Sequence, residues 1–264
     1  MSRNLAMLAG LILILIVMIG LSGLHIAPVG GRFINLNVDG LIEDWHYILS
    51  GEPGELLYIA TYDDFLEDWE IYDDGRLSSQ VIDGKLRIAA LTSDSLPFSI
   101  TRQHFGDFDL RVETQVIDGP LDNGFGIVFR FQDSFNLYRF LISSDGFYQV
   151  VRTIDGEEKS LSAWADSSLI NQGIGARNTL RVVAHGDRFQ FYINDALAQV
   201  CIPDDPNGVS TFAGGQCVGG QMRDVLIDDS FASGRLGMMV MTFSEPGVAV
   251  DFDNVLVFAS GVLE

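Results

Sequence analysis

The spacing of apolar residues changes character twice along the chain. Leu5 to Ile26 contains no acid and no Lys or Arg, and LILILIVMIG within it is almost wholly aliphatic. About 20 such residues suffice to span the hydrocarbon core of a bilayer. Residues 27–56 are punctuated by Gly30-Gly31, Asp39-Gly40 and Gly51-Glu52-Pro53-Gly54, which marks a linker. Within it the pattern predicts a short strand over 33–38 and a short helix over 41–49. From Leu57 onward, short apolar runs alternate with Gly, Asp and Asn. Strands are predicted over 57–62, 68–72, 78–82, 85–91, 97–104, 108–118, 124–132, 136–143, 146–154, 159–164, 178–185, 188–194, 197–202, 235–242 and 248–258. The Asp-Gly pairs at 74, 83, 118, 145 and 155, with Gly186-Asp187, are hairpin signals between them. No long helical period follows residue 60. Many short strands at this spacing predict an all-β, two-sheet antiparallel sandwich of the jelly-roll kind behind one N-terminal transmembrane helix. The organisation is thus 1–26 anchor or signal segment, 27–56 linker and 57–260 sandwich.

The period of two assigns faces. Phe125, Ile127, Phe129 and Phe131 fall on one side of their strand and predict a core face, as do Phe189, Phe191 and Ile193 on theirs. The opposite side of three successive strands carries Gly126, Val128 and Arg130, then Leu137, Arg139 and Leu141, then Tyr148, Val150 and Arg152.

The N-terminal segment sets the expected compartment. Arg3 is the basic residue beside the apolar run, which predicts the N-terminus inside and the remainder extracytoplasmic. A cleaved signal peptide is the alternative, with Gly20 and Ser22 as small residues at the cleavage site. No Cys follows the run to carry a lipoprotein anchor. Cys201 and Cys217 suit an oxidising compartment and a disulfide, which would contribute ~3 kcal/mol by closing a loop of this length. Two separate buried thiols are the other reading.

Charge removes one class of partner. With 16 Lys+Arg against 36 Asp+Glu the formal net charge is −20, which repels phosphate backbones and excludes nucleic acid. The hydrophobic share of 47% is ample for a core and argues against disorder.

Three stretches carry a resemblance. YDDFLEDWEIYDDGRLSSQVIDGKLRI opens the β region, DNGFGIVFRFQDSFNLYRFLISSDGFYQVVRTIDG occupies its middle, and SGRLGMMVMTFSEPGVAVDFDNVLVF closes it. Over about residues 57–260 the chain resembles the concanavalin A-like lectin/glucanase superfamily. More narrowly it resembles laminin-G-like and 3-keto-disaccharide-hydrolase-like (DUF1080-type) bacterial domains. The resemblance implies a two-sheet jelly roll with one concave sheet and its first and last strands together, here Tyr58–Phe65 and Val248–Phe258. The fold hosts glycosidases, lectins, binding modules and adhesion domains, so function must be argued from a site.

Catalytic patterns are absent. Glycosidases of the superfamily place carboxylates as Glu-x-Asp-x-x-Glu on one strand, whereas here Glu113 is followed by Thr114 and Gln115, and Glu157-Glu158 and Asp228-Asp229 sit in turns. There is no Gly-x-Ser-x-Gly and no His-Glu-x-x-His, and His25, His46, His104 and His185 are scattered. The chain reads as a non-enzyme. A binding face is the sharper expectation: Arg130, Arg139, Tyr148 and Arg152 from three strands, with Trp164 stacking on a sugar ring. Ordinary solvated surface is the plain alternative. The resemblance also raises a structural calcium between the terminal strands, with Asp63, Asp251 and Asp253 as ligands, against simple edge-strand charges. The sequence reading is a membrane-anchored, extracytoplasmic domain binding a glycan or cell-envelope component. The runner-up is an accessory subunit docking onto a partner protein, and the third reading is a sugar-derivative hydrolase.

Overall fold

The computed structural model describes residues 32–34, 47–63 and 68–263, and these contain strands and no helix. The apolar run Leu5–Ile26 lies outside the described residues, within which no helix is long and apolar enough to cross a membrane. Two large sheets stack face to face. The first has the order Arg32–Ile34, Tyr47–Leu49, Phe98–Phe105, Gly234–Thr242, Asn123–Asp133, Asn136–Ile142, Phe147–Ile154, Glu157–Asp166. The second runs Ala196–Leu197, Arg188–Ile193, Arg177–His185, Phe108–Asp118, Val248–Phe258, Lys85–Ala90, Leu77–Ile82, Tyr72–Asp73. Leu56–Ala60 also pairs antiparallel with Val248–Phe258, Val257 opposite Tyr58, so the first and last strands of the expected 57–260 region lie together as the resemblance implies, although Arg32–Ile34 and Tyr47–Leu49 ahead of it join the first sheet.

The main departures from the predicted elements are local. Of the helix predicted over 41–49, residues 41–46 lie outside the described residues, and Tyr47–Leu49 form a strand parallel to Phe98–Phe105. Over 68–72 there is only a bridge from Trp69 to Thr101 ahead of the two-residue strand Tyr72–Asp73. The strand predicted over 197–202 is broken into Ala196–Leu197 and Val200–Pro203, and the short strands between 211 and 227 lie where no strand was predicted. Their sequence is rich in Gly, Asp and Pro, which hides strands of two to four residues from a periodicity argument.

The core lies between the sheets. Phe129 stacks on Tyr138 at 5.1 Å and meets Phe108, Phe189 and Phe191 at tilted or edge angles. Full burial of such side chains stabilises by roughly 1.5–3 kcal/mol each. Phe125, Ile127, Phe129, Phe189, Phe191 and Ile193 all face this core, as their alternation predicts. Phe131 does not. Arg130 adopts φ 47°, and Phe129 and Arg130 together oppose the single Leu236 between the pairs Val128–Gly237 and Phe131–Arg235. This bulge shifts the period by one, turning Phe131 to the outer face and Arg130 inward. On that outer face Phe131 joins Ile100, Val128, Leu137, Leu141 and Met239, with Phe98, Trp164 and Met241 packed against them. The outer face of the second sheet is polar instead. Asp109 receives Arg181 and Arg111, and Asp251 receives Arg87 through two bonds of 2.6 and 2.9 Å.

The disulfide forms. Cys201 and Cys217 are joined with their Cα atoms 5.4 Å apart. It links the hairpin Val200–Pro203/Gly220–Arg223 to Thr211–Ala213/Gln216–Val218. The stapled unit docks on the edge strand Glu157–Asp166, where Ser162 Oγ accepts the Cys201 amide at 2.9 Å.

Candidate functional site

Four segments meet at one end of the first sheet. The start of Asn123–Asp133, the turn between Asn136–Ile142 and Phe147–Ile154, Trp164, and Phe243 just past Gly234–Thr242 are brought level by the pairs Thr242–Asn123, Ile142–Tyr148 and Tyr148–Ala165. They enclose a cleft of about 180 Å³ lined by Asp122, Asn123, Ser143, Asp145, Phe147, Trp164 and Phe243. Trp164 and Phe243 meet edge to face with centroids 6.4 Å apart, and Phe147 is 38% exposed at the mouth.

The sequence makes this end rigid. Asn123 is fully buried; its amide donates to Pro120 O at 2.7 Å and Ser144 Oγ at 2.9 Å, while its carbonyl accepts the Ser144 amide at 3.0 Å. Ser143 Oγ donates to Asp145 and accepts the Phe147 amide at 2.9 Å, which closes the Ser143–Phe147 turn. Gly146 in that turn has φ +99°, a left-handed conformation in which any other side chain is strained. Phe243 is held through its carbonyl, which accepts the Asp94 amide at 2.9 Å, and the neighbouring Thr242 hydroxyl bonds Thr92 O at 2.8 Å. An aromatic-walled groove with fixed polar groups has the lining of a small-ligand site, in a cleft smaller than the roughly 300–1,000 Å³ that is usual for drug-sized ligands.

The residues expected to form a binding face are dispersed. Trp164 lines the cleft. Arg130 is 0% exposed and points into the sandwich, with Nη1 on Phe231 O at 2.5 Å, Nη2 3.6 Å from Asp107, and the guanidinium 4.8 Å over the Phe189 ring. Burial depresses its pKa, opposed by Asp107, Tyr138 and Asp187. Tyr148 is 4% exposed on the inner side and donates its hydroxyl to Gln199 O. Arg152 is opposite Tyr138, hence on the inner side too, and binds Asp228 at 2.6 Å and Ser230 at 2.9 Å. Arg139 stays on the outer face but is 3% exposed and paired with Glu158 at 2.6 Å. The expected three-strand Arg/Tyr surface is therefore replaced by a buried clamp on residues 228–231 and one isolated ion pair.

Asp251 is engaged by Arg87. Burial raises the Asp253 carboxyl, with Glu113 and Asp63 adding to the rise and the Asn254 amide and Lys85 opposing it. Among the described residues no three His, Cys, Asp or Glu side chains are grouped to hold a metal ion.

The cleft residues that the sequence did not single out are Asp122, Asn123, Ser143, Asp145, Phe147 and Phe243. Asp145-Gly146 marks a turn in the sequence, but only the sheet order brings that turn beside Phe243 and Trp164.

Solved structures share the sandwich. A galectin-like-fold protein of unknown function from Bacillus subtilis aligns with TM-score 0.52 and 12% identity, covering 79% of this chain and 97% of that one. The GH43 protein BlXynB from Bacillus licheniformis aligns with TM-score 0.51 and 17% identity over 76% of this chain, which spans 39% of that protein. The carbohydrate-binding module CBM66 from Bacillus subtilis gives TM-score 0.46 and 18% identity, covering 79% of this chain and 97% of the module. At such identities the likenesses to the galectin-like-fold protein and to BlXynB describe the fold alone. No curated protein matches in sequence. A family model does match, over residues 61–238 and so more than half of the chain, and by it the chain belongs to the 3-keto-alpha-glucoside-1,2-lyase-like domain family.

Proposed function

We propose that this protein is a membrane-tethered, extracytoplasmic domain that binds a glycan in the cleft bounded by Trp164, Phe147 and Phe243. The observation that carries the reading is the cleft's composition. Aromatic planes suit the apolar faces of sugar rings, and Asp122, Ser143 and Asp145 beside them suit hydroxyl groups. The reading is supported by a jelly-roll fold whose structural neighbours include a carbohydrate-binding module and GH43 glycosidases. The disulfide supports an oxidising compartment. The apolar run Leu5–Ile26 supplies the tether, N-terminus inside.

The test is a glycan array probed with the full chain in detergent, alongside Trp164→Ala. Saturable binding that the variant loses at an unchanged fold supports the reading; a blank array overturns it.

Family membership favours one second reading, cleavage of a 3-keto-α-glucoside. Asp122 and Asp145 would then supply the proton-transfer groups. Incubation with a 3-keto-α-glucoside separates the two, because turnover that Asp145→Asn abolishes makes the cleft catalytic.

A further inference from the structure

The cleft has a definite chemical polarity. Among the described residues no Lys or Arg lines it. The arginines expected nearby are committed elsewhere: Arg130 to Phe231 O, Arg139 to Glu158 and Arg152 to Asp228. Of the cleft's own side-chain donors, those of Asn123 and Ser143 are also spent. Both amide hydrogens of Asn123 go to Pro120 O and Ser144 Oγ, and the Ser143 hydroxyl donates to Asp145. What remains for a ligand is the Trp164 indole N–H and a pair of carboxylates, Asp122 and Asp145, set among three aromatic rings. The chain's formal charge of −20 adds a field of the same sign.

Building on the glycan-binding reading, we infer that the cleft selects sugars bearing a free ammonium group, the de-N-acetylated amino sugars, over their N-acetylated forms, and rejects uronic acids. An ammonium offers three donors and no acceptor, which complements a lining whose only charged groups are acceptors. Its bonds to carboxylates are charge-assisted, and it is attracted to the face of an aromatic ring. Acetylation removes the charge. A uronate brings its carboxylate against Asp122 and Asp145 with no cation to receive it.

The test titrates the full chain in detergent with short oligomers of glucosamine, N-acetylglucosamine and galacturonic acid, at mildly acidic pH so that the amines are charged. The expected result is at least about tenfold tighter binding of the glucosamine oligomer than of its acetylated counterpart, equivalent to about 1.4 kcal/mol. No binding of the galacturonate is expected. Asp122→Asn/Asp145→Asn removes the preference, and Trp164→Ala removes binding altogether. Equal affinity for the two amino-sugar forms, or preference for the uronate, overturns the inference and leaves glycan binding standing. Glucosamine binding that survives Trp164→Ala also overturns it, because it is attraction of a polycation to an acidic protein. Binding of none of the three overturns it as well, and the glycan array then decides the broader reading. The comparison among ligands needs only the native chain, so it decides even where a variant fails to fold.

Discussion

Trp164 and Phe243 lie edge to face at 6.4 Å although three strands separate theirs in the sheet. Four inter-strand steps of ~4.8 Å would set those strands roughly 19 Å apart in a flat sheet. The two rings therefore lean toward each other over the ends of Asn123–Asp133, Asn136–Ile142 and Phe147–Ile154, and the space beneath them is the cleft. Neither ring belongs to the main core, which leaves both available to a ligand.

That arrangement predicts a spectroscopic signature. Trp69 is buried and donates its indole N–H to Tyr58 Oη at 3.0 Å, whereas Trp164 is only half-buried. Acrylamide should quench Trp164 readily in the free protein, and a bound glycan should protect it. The Trp164→Phe variant supplies the baseline and should bind more weakly by about 1 kcal/mol, since its stacking surface is smaller. Quenching that stays the same at saturating glycan would place the ligand elsewhere.

The disulfide predicts a stability difference. Its loop of 16 residues corresponds to ~3 kcal/mol in the chain-entropy account. Cys201→Ser/Cys217→Ser should lose about that amount in urea unfolding, provided the 199–227 hairpins unfold together with the sandwich. Their bonds to Ser162, Tyr148 and Lys159 give reason to expect this. A variant that melts in two steps would show that the stapled unit is a separate cooperative element.

Acid should weaken the fold through two carboxylates. Burial pushes Asp109 up, but Arg181 and Arg111 outweigh it and hold the carboxyl below the usual range. Burial likewise raises Asp228, and the Ser230 and Tyr138 hydroxyls, the Ser230 amide and Arg152 together bring it below. A depressed folded-state pKa contributes stability that is fully present above the unfolded value of about 3.9 and is lost as pH falls through the folded value. Asp109→Asn and Asp228→Asn should therefore be less stable than the native chain at neutral pH, with the difference shrinking below about pH 4. Unfolding free energies measured across that window decide it, and a difference independent of pH would count against the ion-pair account.

The alternation of Phe125, Ile127 and Phe129, and of Phe189, Phe191 and Ile193, was legible because a strand with one buried face declares itself in every second residue. The same rule failed beyond Phe129, since a single left-handed residue at Arg130 resets the period, and nothing in the identity of an arginine announces that. Tyr148 and Arg152 were misplaced for a different reason. Their alternation was right, but which alternate set faces inward depends on register across the turn, and the register puts Arg152 opposite Tyr138. Trp164 was singled out as a stacking residue and lines the cleft. Its neighbours Asp122, Asp145 and Phe243 come from separate connections, and only the strand order brings them together.

Arg130 offers the plainest discrimination between a binding face and an internal clamp. Its guanidinium is enclosed by Phe189, Phe231 O and Asp107, and Nε and Nη2 have no hydrogen-bond partner. Truncation to alanine opens a cavity and strips the donor from Phe231 O, so Arg130→Ala should cost about 3–5 kcal/mol. Replacement by methionine keeps most of the volume and removes the desolvated charge. Arg130→Met should then lie within about 1–2 kcal/mol of the native chain, because an apolar residue of similar size often substitutes for a buried ion at little cost. Glycan affinity should be unchanged in Arg130→Met, since the residue is on the inner side of the sheet and the cleft is lined by others. Chemical denaturation of both variants, with a binding titration of the methionine variant, tests the two roles separately. A methionine variant that folds normally and loses affinity would return Arg130 to the binding surface and contradict the clamp.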